Sequence, residues 1–395
     1  MFFGSYYTCE NEGVMREKSM NELPLMDENE GIVLFYPNVP ENALEEVSKV
    51  LHSRWIGQGP RVVAFEKEFE TRFLTNNTAL AVGSGTDALH LSYILAGIGP
   101  GDEVIAPVFT CTATNIPFLY MGAKIRFADI DPETLNINVD HVRQLVNTKT
   151  KAIVCVHYAG LPCNMDELLK ISREYNIPLI DDAAHALGAT YKGQNIGEIT
   201  DFSVFSFQAI KHITTGDGGM ITLKNRDLVE KAKRIRWFGI DRSAKQNGHW
   251  ENDIYEVGYK YQMNDIAAAL GLAALAKFDE TLKYRQQLFS EYEKQFSGID
   301  DIKLIGTGLT DRTHASWLCT VLVEKRHDLM NKLRSFKIES SQVHYRNDRY
   351  TVFGGRRSDL PNMDMVEDKY LVLPLHGKMK PTDVEYISKV IKSGW

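Results

Sequence analysis

Cysteine is scarce in this chain, and what there is does not pair. The five cysteines among 395 residues, Cys9, Cys111, Cys155, Cys163 and Cys319, are odd in number, scattered, and form no Cys-x-x-Cys. That pattern excludes a disulfide framework, suggests no metal site, and fits a reducing compartment. Long apolar runs are missing too. No stretch approaches the roughly 18 apolar residues a membrane-spanning helix needs. The N-terminus turns polar and acidic after its first residues and lacks the basic-then-apolar order of a secretory signal. Charge of one sign is also lacking: 45 basic and 52 acidic residues leave a net charge of −7. Such a balance gives no reason to expect nucleic acid or an anionic membrane as partner. The expectation is a cytoplasmic protein.

What is present is length and apolar content. With 395 residues, 44% of them hydrophobic, the chain exceeds one ordinary core and suggests a large α/β domain with a smaller companion. The division read from the sequence is an N-terminal arm over residues 1–30, a large α/β domain over 31–275 and a small α+β domain over 276–395. A helix is expected at Glu41–His52, where Leu44, Val47 and Leu51 share a face. From about residue 76 strands and helices alternate. Strands are expected at Ala79–Val82, Glu103–Val108, Lys124–Asp129, Ala152–His157 and Pro178–Asp181. Helices are expected at Thr86–Ala96, Thr112–Tyr120, Asp140–Val146 and Met165–Tyr175. This order implies a mostly parallel sheet flanked by helices, with ligands at the carboxyl ends of its strands. Strand-like pieces follow at Asp201–Phe207 and Met220–Leu223. A long helical stretch is expected from Asn264 to about Phe296. Ser316–Val323, Leu329–Phe336 and Glu339–His344 then read as a β-α-β unit.

Three motifs carry chemistry. Gly83-Ser84-Gly85-Thr86-Asp87 lies between a strand and an apolar helix, where free amides and the helix dipole favour a phosphate; the alternative is an ordinary capped turn. Asp181-Asp182-Ala-Ala-His185 places two carboxylates and an imidazole at a strand end. They could hold a metal, cap the next element, or pair with a protonated ring nitrogen. The strongest signal runs from Ser203 through Ser206 and Lys211 to Gly219. There an apolar strand leads to a lysine, a glycine-rich turn and a returning strand. Most lysines are solvated, but this setting can desolvate an ammonium and lower its pKa, as an imine-forming lysine requires. Together the motifs supply what pyridoxal 5'-phosphate (PLP) needs: an amine for its aldehyde, a carboxylate for its pyridinium nitrogen, and amides and hydroxyls for its phosphate.

With these residues in view, the chain resembles the DegT-type sugar-nucleotide aminotransferases among the fold-type I PLP enzymes. The resemblance runs from about Pro37 to the C-terminus. Its markers are Trp55-Ile-Gly-Gln-Gly-Pro60, Gly83 to Leu89, Asp181 to Gly188, Phe205-Ser-Phe through Lys211 to Gly219, Gly258 to Met263, and Leu373-Pro-Leu-His376. It implies that Lys211 holds the cofactor as a Schiff base and that Asp182 pairs with the pyridine nitrogen. It further implies that His185 approaches the ring hydroxyl, and that Ser206 with Gly85 and the amides of Thr86 and Asp87 holds the phosphate. The implied reaction moves an amino group, usually from glutamate, onto a keto carbon of a nucleotide-linked deoxysugar, with a 4-keto-6-deoxyhexose favoured. The cofactor then passes through pyridoxamine 5'-phosphate (PMP), and the implied assembly is a homodimer with shared active sites. Three positions depart from the family pattern. Cys111 stands where an aromatic often stacks on the ring. Lys260 stands where an Asn often reaches the neighbouring subunit's phosphate. Val343 to Asp348 lacks the usual Tyr-Pro element near the sugar. Two other readings are kept: a sugar 3-dehydratase, in which a histidine replaces the lysine and His212 is adjacent, and a non-catalytic regulatory relative.

Overall fold

The computed structural model describes residues 25–251 and 253–395. Most of the expected arm, residues 1–24, lies outside the described residues. Of its remainder, Met26 is buried and donates its N–H to Glu339 Oε1 at 3.1 Å, so this end is tied down rather than loose.

The central sheet has seven strands: β1 (Thr78–Val82), β2 (Glu103–Pro107), β3 (Lys124–Ala128), β4 (Thr150–Val156), β5 (Leu179–Asp182), β6 (Phe202–Ser206) and β7 (Gly219–Leu223). Their order is β1-β7-β6-β5-β4-β2-β3. Among them β7 alone runs antiparallel to its neighbours; β2 to β6 pair in parallel. Alternate residues feed two different cores. Ile105, Ile153 and Leu179 join the cluster around Phe65 and Phe69, whereas Val104, Val154 and Ile180 join the one around Leu89 and Leu91. Both faces are covered, so the strands read as continuous apolar runs instead of alternating ones.

Several helices escaped the sequence reading, among them Val229–Ile235 and Pro381–Lys392, and one of them bears on the site. Pro60–Phe73 starts with Pro after an extended Gly59 and buries Val62, Phe65, Phe69 and Phe73 on one face. Its start is capped from afar. The buried Asp265 carboxylate accepts the N–H groups of Gly59 (2.7 Å), Arg61 (3.0 Å) and Val62 (3.1 Å), a favourable place for negative charge at a helix N-terminus.

A second, antiparallel sheet of three strands, β8 (Ile302–Leu304), β9 (Cys319–Val323) and β10 (Tyr370–Leu373), is ordered β8-β9-β10. The helices Phe278–Phe296, Arg326–Ser335 and Pro381–Lys392 pack Leu288, Leu329, Leu333, Val384 and Ile387 against it. Two expectations are corrected here. The stretch from Asn264 to Phe296 is two helices, Asp265–Ala276 and Phe278–Phe296, broken at Lys277. Glu339–His344 is not a strand. Its backbone is shared among several partners: Glu339 N–H goes to Ile32 O, only Ser341 exchanges bonds with Val372, and the hydroxyls of Tyr158 and Tyr370 take the carbonyls of Val343 and His344.

Candidate active site

Strand ends bring the motifs together. Val82 at the end of β1 and Ser206 at the end of β6 both pair with Gly219 at the start of β7. A Cβ on Gly219 would stand 2.4 Å from Ser84 O and 2.7 Å from Gly85 N, and one on Gly85 would stand 3.0 Å from Ser206 Cβ. Only glycine at both positions lets the start of the helix Gly85–Leu95 lie against Ser206. The marker Gly258 to Met263 supports this loop through Tyr261 O, which accepts Gly83 N–H at 2.7 Å. Ser84 Oγ caps the helix by accepting Asp87 N–H at 3.0 Å. That amide, expected on the phosphate, is therefore already engaged. Among the described residues, the N–H groups of Gly85 and Thr86 donate to no protein group. Burial pushes the Asp87 carboxyl up to about 6 against the hydrogen bonds from Ser84, so little negative charge opposes an anion there at mildly acidic pH.

The two aspartates face opposite ways, because successive residues of a strand do. Asp181 accepts from Thr200 Oγ1 at 2.5 Å and from His157 Nε2 at 2.9 Å. Asp182 accepts from Thr114 Oγ1 at 2.7 Å and from Ala184 N–H at 3.1 Å. They do not form a joint metal site. Burial raises the Asp182 pKa, opposed by Thr114, by the Ala184 amide and by the charge of Lys211. Behind Asp181, Cys155, His157 and Cys163 bring their side-chain ligand atoms within 4.8 Å of one another. Both ring nitrogens of His157 are committed, Nε2 to Asp181 and Nδ1 to the Cys163 N–H at 3.1 Å, which makes this a hydrogen-bonded cluster.

Lys211 is 9% exposed. It sits in a turn closed by its own N–H on Gln208 O, and its Nζ lies 3.5 Å from the centre of a Trp317 ring. Burial pushes its pKa down to about 7, the charges of Cys111 and Asp182 work in the opposite direction, and the buried Arg285 cation adds to the depression. A cation over an indole face is itself stabilised by roughly 2 kcal/mol when desolvated, which also counters burial. His212 points elsewhere, its Nε2 2.6 Å from Ala315 O. His185 stacks on Trp317 with ring centres 3.8 Å apart. Its Nδ1 is buried and has no partner among the described residues.

These residues fit PLP: an amine of lowered basicity, a buried carboxylate, a glycine-built cradle with free amides, and an orphaned imidazole nitrogen. Cys111 stands at the N-cap position of the helix Thr112–Tyr120 without a capping side-chain bond, close enough to Lys211 to act on its charge. Lys260 is exposed, its Nζ 3.5 Å from a Trp237 ring centre.

Residues 37–392 match the DegT/DnrJ/EryC1/StrS aminotransferase family. The chain belongs to that family. It is a PLP-dependent aminotransferase of fold type I, and the mostly parallel sheet is the one that fold requires. The chain is 32% identical over 381 residues to the UDP-4-amino-4-deoxy-L-arabinose–oxoglutarate aminotransferase of Shewanella sediminis, covering 92% of this chain and 98% of that protein. It is 37% identical over 314 residues to the GDP-perosamine synthase of Caulobacter vibrioides, covering 78% and 82%. Spr1654 of Streptococcus pneumoniae, assigned as a sugar aminotransferase, superposes in its PMP form with a TM-score of 0.86 at 30% identity, covering 92% of this chain and 98% of that one; a PLP form is also known. No helix among the described residues is long and apolar enough to cross a membrane.

Several site residues escaped the sequence reading. Thr114 and Trp317 carry no motif, since one is a threonine in the first turn of a helix and the other an aromatic in the irregular segment before Cys319–Val323. Arg285 is buried with no carboxylate and donates to the carbonyls of Ser316 (3.0 Å), Trp317 (2.7 Å) and Leu375 (2.7 Å). It thereby ties Trp317 to the marker Leu373–His376. Arg346 is fully buried. It binds Asp348 through Nε (2.6 Å) and Nη2 (2.7 Å), and its Nη1 reaches Asp364 and Glu367. Tyr345 and Arg346 pair with Thr110 and Phe109, and Asn347 Nδ2 donates to Thr110 O at 2.7 Å. The segment that lacks the Tyr-Pro element is thus a wall fixed directly before Cys111. Arg346→Met should leave Asp348 buried without its cation and cost on the order of 3–5 kcal/mol, read as a lower thermal midpoint in calorimetry. An unchanged midpoint would show that the network is idle.

Proposed function

We propose that the chain transfers an amino group from glutamate to a keto carbon of a nucleotide-linked deoxysugar, a 4-keto-6-deoxyhexose by preference, in a homodimer with shared sites. The observation that carries this reading is that Asp182, whose charge acts on Lys211, lies at the same end of the central sheet as the Gly85–Ser206 cradle, in a chain that belongs to an aminotransferase family. The names of the two curated relatives support nucleotide sugars as the substrate class, and oxoglutarate in one of them supports glutamate as donor. We read residues 31–275 as the unit that binds the cofactor.

PLP, when bound, supplies an electron sink for the Cα–H bond of the amino donor. Lys211 would hold its aldehyde end and, once displaced, move a proton at that carbon. With a pKa near neutrality it can both accept and return that proton. Asp182 would keep the ring nitrogen protonated, and its bonds from Thr114 and Ala184 hold the carboxylate in place. Ser206 and the amides of Gly85 and Thr86 would bind the phosphate. The dehydratase alternative finds no support, since the charge of Asp182 acts on Lys211, while His212 turns its Nε2 to Ala315 O.

A panel of nucleotide-linked ketosugars incubated with glutamate and read by mass spectrometry tests the reading. Gain of an amino group on one of them, with 2-oxoglutarate released, is expected. Amination of free keto acids alone would overturn it.

Lys260 bears on the dimer. Its exposed ammonium rests on Trp237, and we propose that it turns to the neighbouring subunit's phosphate as a charge-assisted contact. Lys260→Ala should then weaken PLP binding roughly tenfold, the effect of about 1.4 kcal/mol, and favour dissociation at low protein concentration. Equal PLP affinity in titrations of the two proteins removes Lys260 from the site, and an active monomer in sedimentation removes shared sites altogether.

A further inference from the structure

His185 and His344 face each other in a way the chemistry above does not use. Their Nε2 atoms lie 3.5 Å apart, and their rings are nearly parallel, 15° apart, with centres separated by 5.4 Å. The nitrogens are much closer than the centres, so the rings point their Nε2 atoms at each other. Two bare lone pairs or two N–H groups would repel at that contact. One Nε2 must donate and the other accept. Burial first, then the charge of Lys211, depresses both imidazoles, His344 to about 3, so each ring carries a single proton at neutral pH.

The backbone of His344 is held rigidly. Tyr370 Oη donates to His344 O at 2.7 Å, and Tyr158 Oη donates to Val343 O. His185 is clamped by its stack on Trp317. The His185 ring is thereby held in place, and the backbone that carries the His344 ring is fixed opposite it. The remaining atom of the pair is His185 Nδ1, buried and without a partner among the described residues. A buried polar atom left unpaired costs about 1–3 kcal/mol, and a ligand atom that satisfied it would recover that cost.

Resting on the functional reading above, we propose that His344 donates its Nε2 proton to His185 and so fixes the His185 proton on Nδ1, making His185 a hydrogen-bond donor to an anionic oxygen of the bound cofactor ring. His344 is then a positioning residue acting through His185. The oxygen is the ring phenolate, the one anionic ring substituent besides the phosphate. A donor there withdraws electron density and lowers the basicity of the nitrogen that Lys211 contributes. Besides His344, the titratable groups acting on His185 are Lys211, His212 and His157. Cys111, Asp182 and Arg285 act on Lys211. None of these is altered by a substitution at His344.

The test has two arms. In the first, cofactor-free protein labelled with 15N histidine is examined by long-range proton–nitrogen NMR, with His185 assigned by its loss in His185→Phe. The expected result is an Nδ1–H tautomer for His185 in wild type, lost or mixed in His344→Phe, and kept in His344→Gln, whose amide can still donate. An Nε2–H tautomer in wild type, or no change in His344→Phe, overturns the proposal. In the second, the absorbance of PLP-loaded protein is titrated with pH. The midpoint should rise by about one unit, a tenfold change in the proton equilibrium, in His344→Phe and return in His344→Gln. Equal midpoints in all three proteins, or equal shifts in both variants, also overturn it. If wild type takes up no PLP, the functional reading fails while the first arm still decides the tautomer.

Discussion

Lys211→Ala protein is expected to lose amino transfer by a factor on the order of 10⁴ or more, since one group supplies both the covalent anchor and the proton transfer. It should also lose the near-visible absorbance of PLP-loaded protein, because Lys211 is the lysine whose charge acts on Asp182. Exogenous amines of small size should restore part of the rate in Lys211→Ala but not in a protein also changed at Asp182. A second consequence concerns stability without cofactor. The folded-state pKa of Lys211, about 7, lies below its ordinary 10.5, so between these values the unfolded chain binds the extra proton. The buried amine therefore costs most stability below pH 7 and progressively less as pH rises toward 10.5. Lys211→Ala should gain in thermal midpoint over wild type at neutral pH, and the gain should shrink as pH rises. A Lys211→Ala protein turning over at the wild-type rate would remove the lysine from the mechanism, and a gain that grew with pH would show that the amine is not desolvated.

Asp182→Asn and Asp181→Asn are expected to fail in different ways, because their side chains leave β5 on opposite faces. Asp182 shares its side with Thr114 and Lys211, so the Asn variant should keep its fold and bind PLP. It should lose a charge-assisted bond worth about 1.5–3 kcal/mol, on the order of 10- to 100-fold in rate. Thr114→Val should show a milder loss in the same direction, since it loosens the carboxylate without removing it. Asp181 accepts from Thr200 and His157 in a fully buried cluster. Asp181→Asn places an amide N–H₂ where an acceptor is needed, and should cost about 1–3 kcal/mol of stability with kcat per folded molecule little changed. Rates and calorimetric midpoints of the three variants separate the roles. A crippled Asp181→Asn beside a normal Asp182→Asn would reverse the assignment.

The parts legible in the sequence were those with a local signature. The strand-helix alternation from residue 76, the glycines around Ser206, and the Asp181-Asp182 pair each follow from neighbouring residues, and the structure puts them at one end of one sheet. The helix Pro60–Phe73 was equally legible, with Pro at its start and Phe65, Phe69 and Phe73 in helical register, but was not read. Other features had no local signal. Asp265 caps a helix two hundred residues earlier, and Arg285 reaches carbonyls of two segments far apart in the chain, at Ser316–Trp317 and at Leu375. Glu339–His344 looks like a strand by composition and loses that state because tyrosine hydroxyls and a single bridge divide its backbone. The choice of Asp182 over Asp181 as the proposed partner of the ring nitrogen came from the resemblance. Its physical basis, opposite faces with different donors, needed coordinates.

The most direct test is chemical trapping. Wild-type protein loaded with PLP is treated with borohydride, digested and mapped by mass spectrometry. The expected result is a pyridoxyl phosphate group on the peptide that carries Lys211, and none on that peptide in protein first incubated with excess glutamate. A modification confined to another lysine, or its absence from the Lys211 peptide in the loaded wild type, would contradict the assignment of Lys211 as the residue that holds the cofactor.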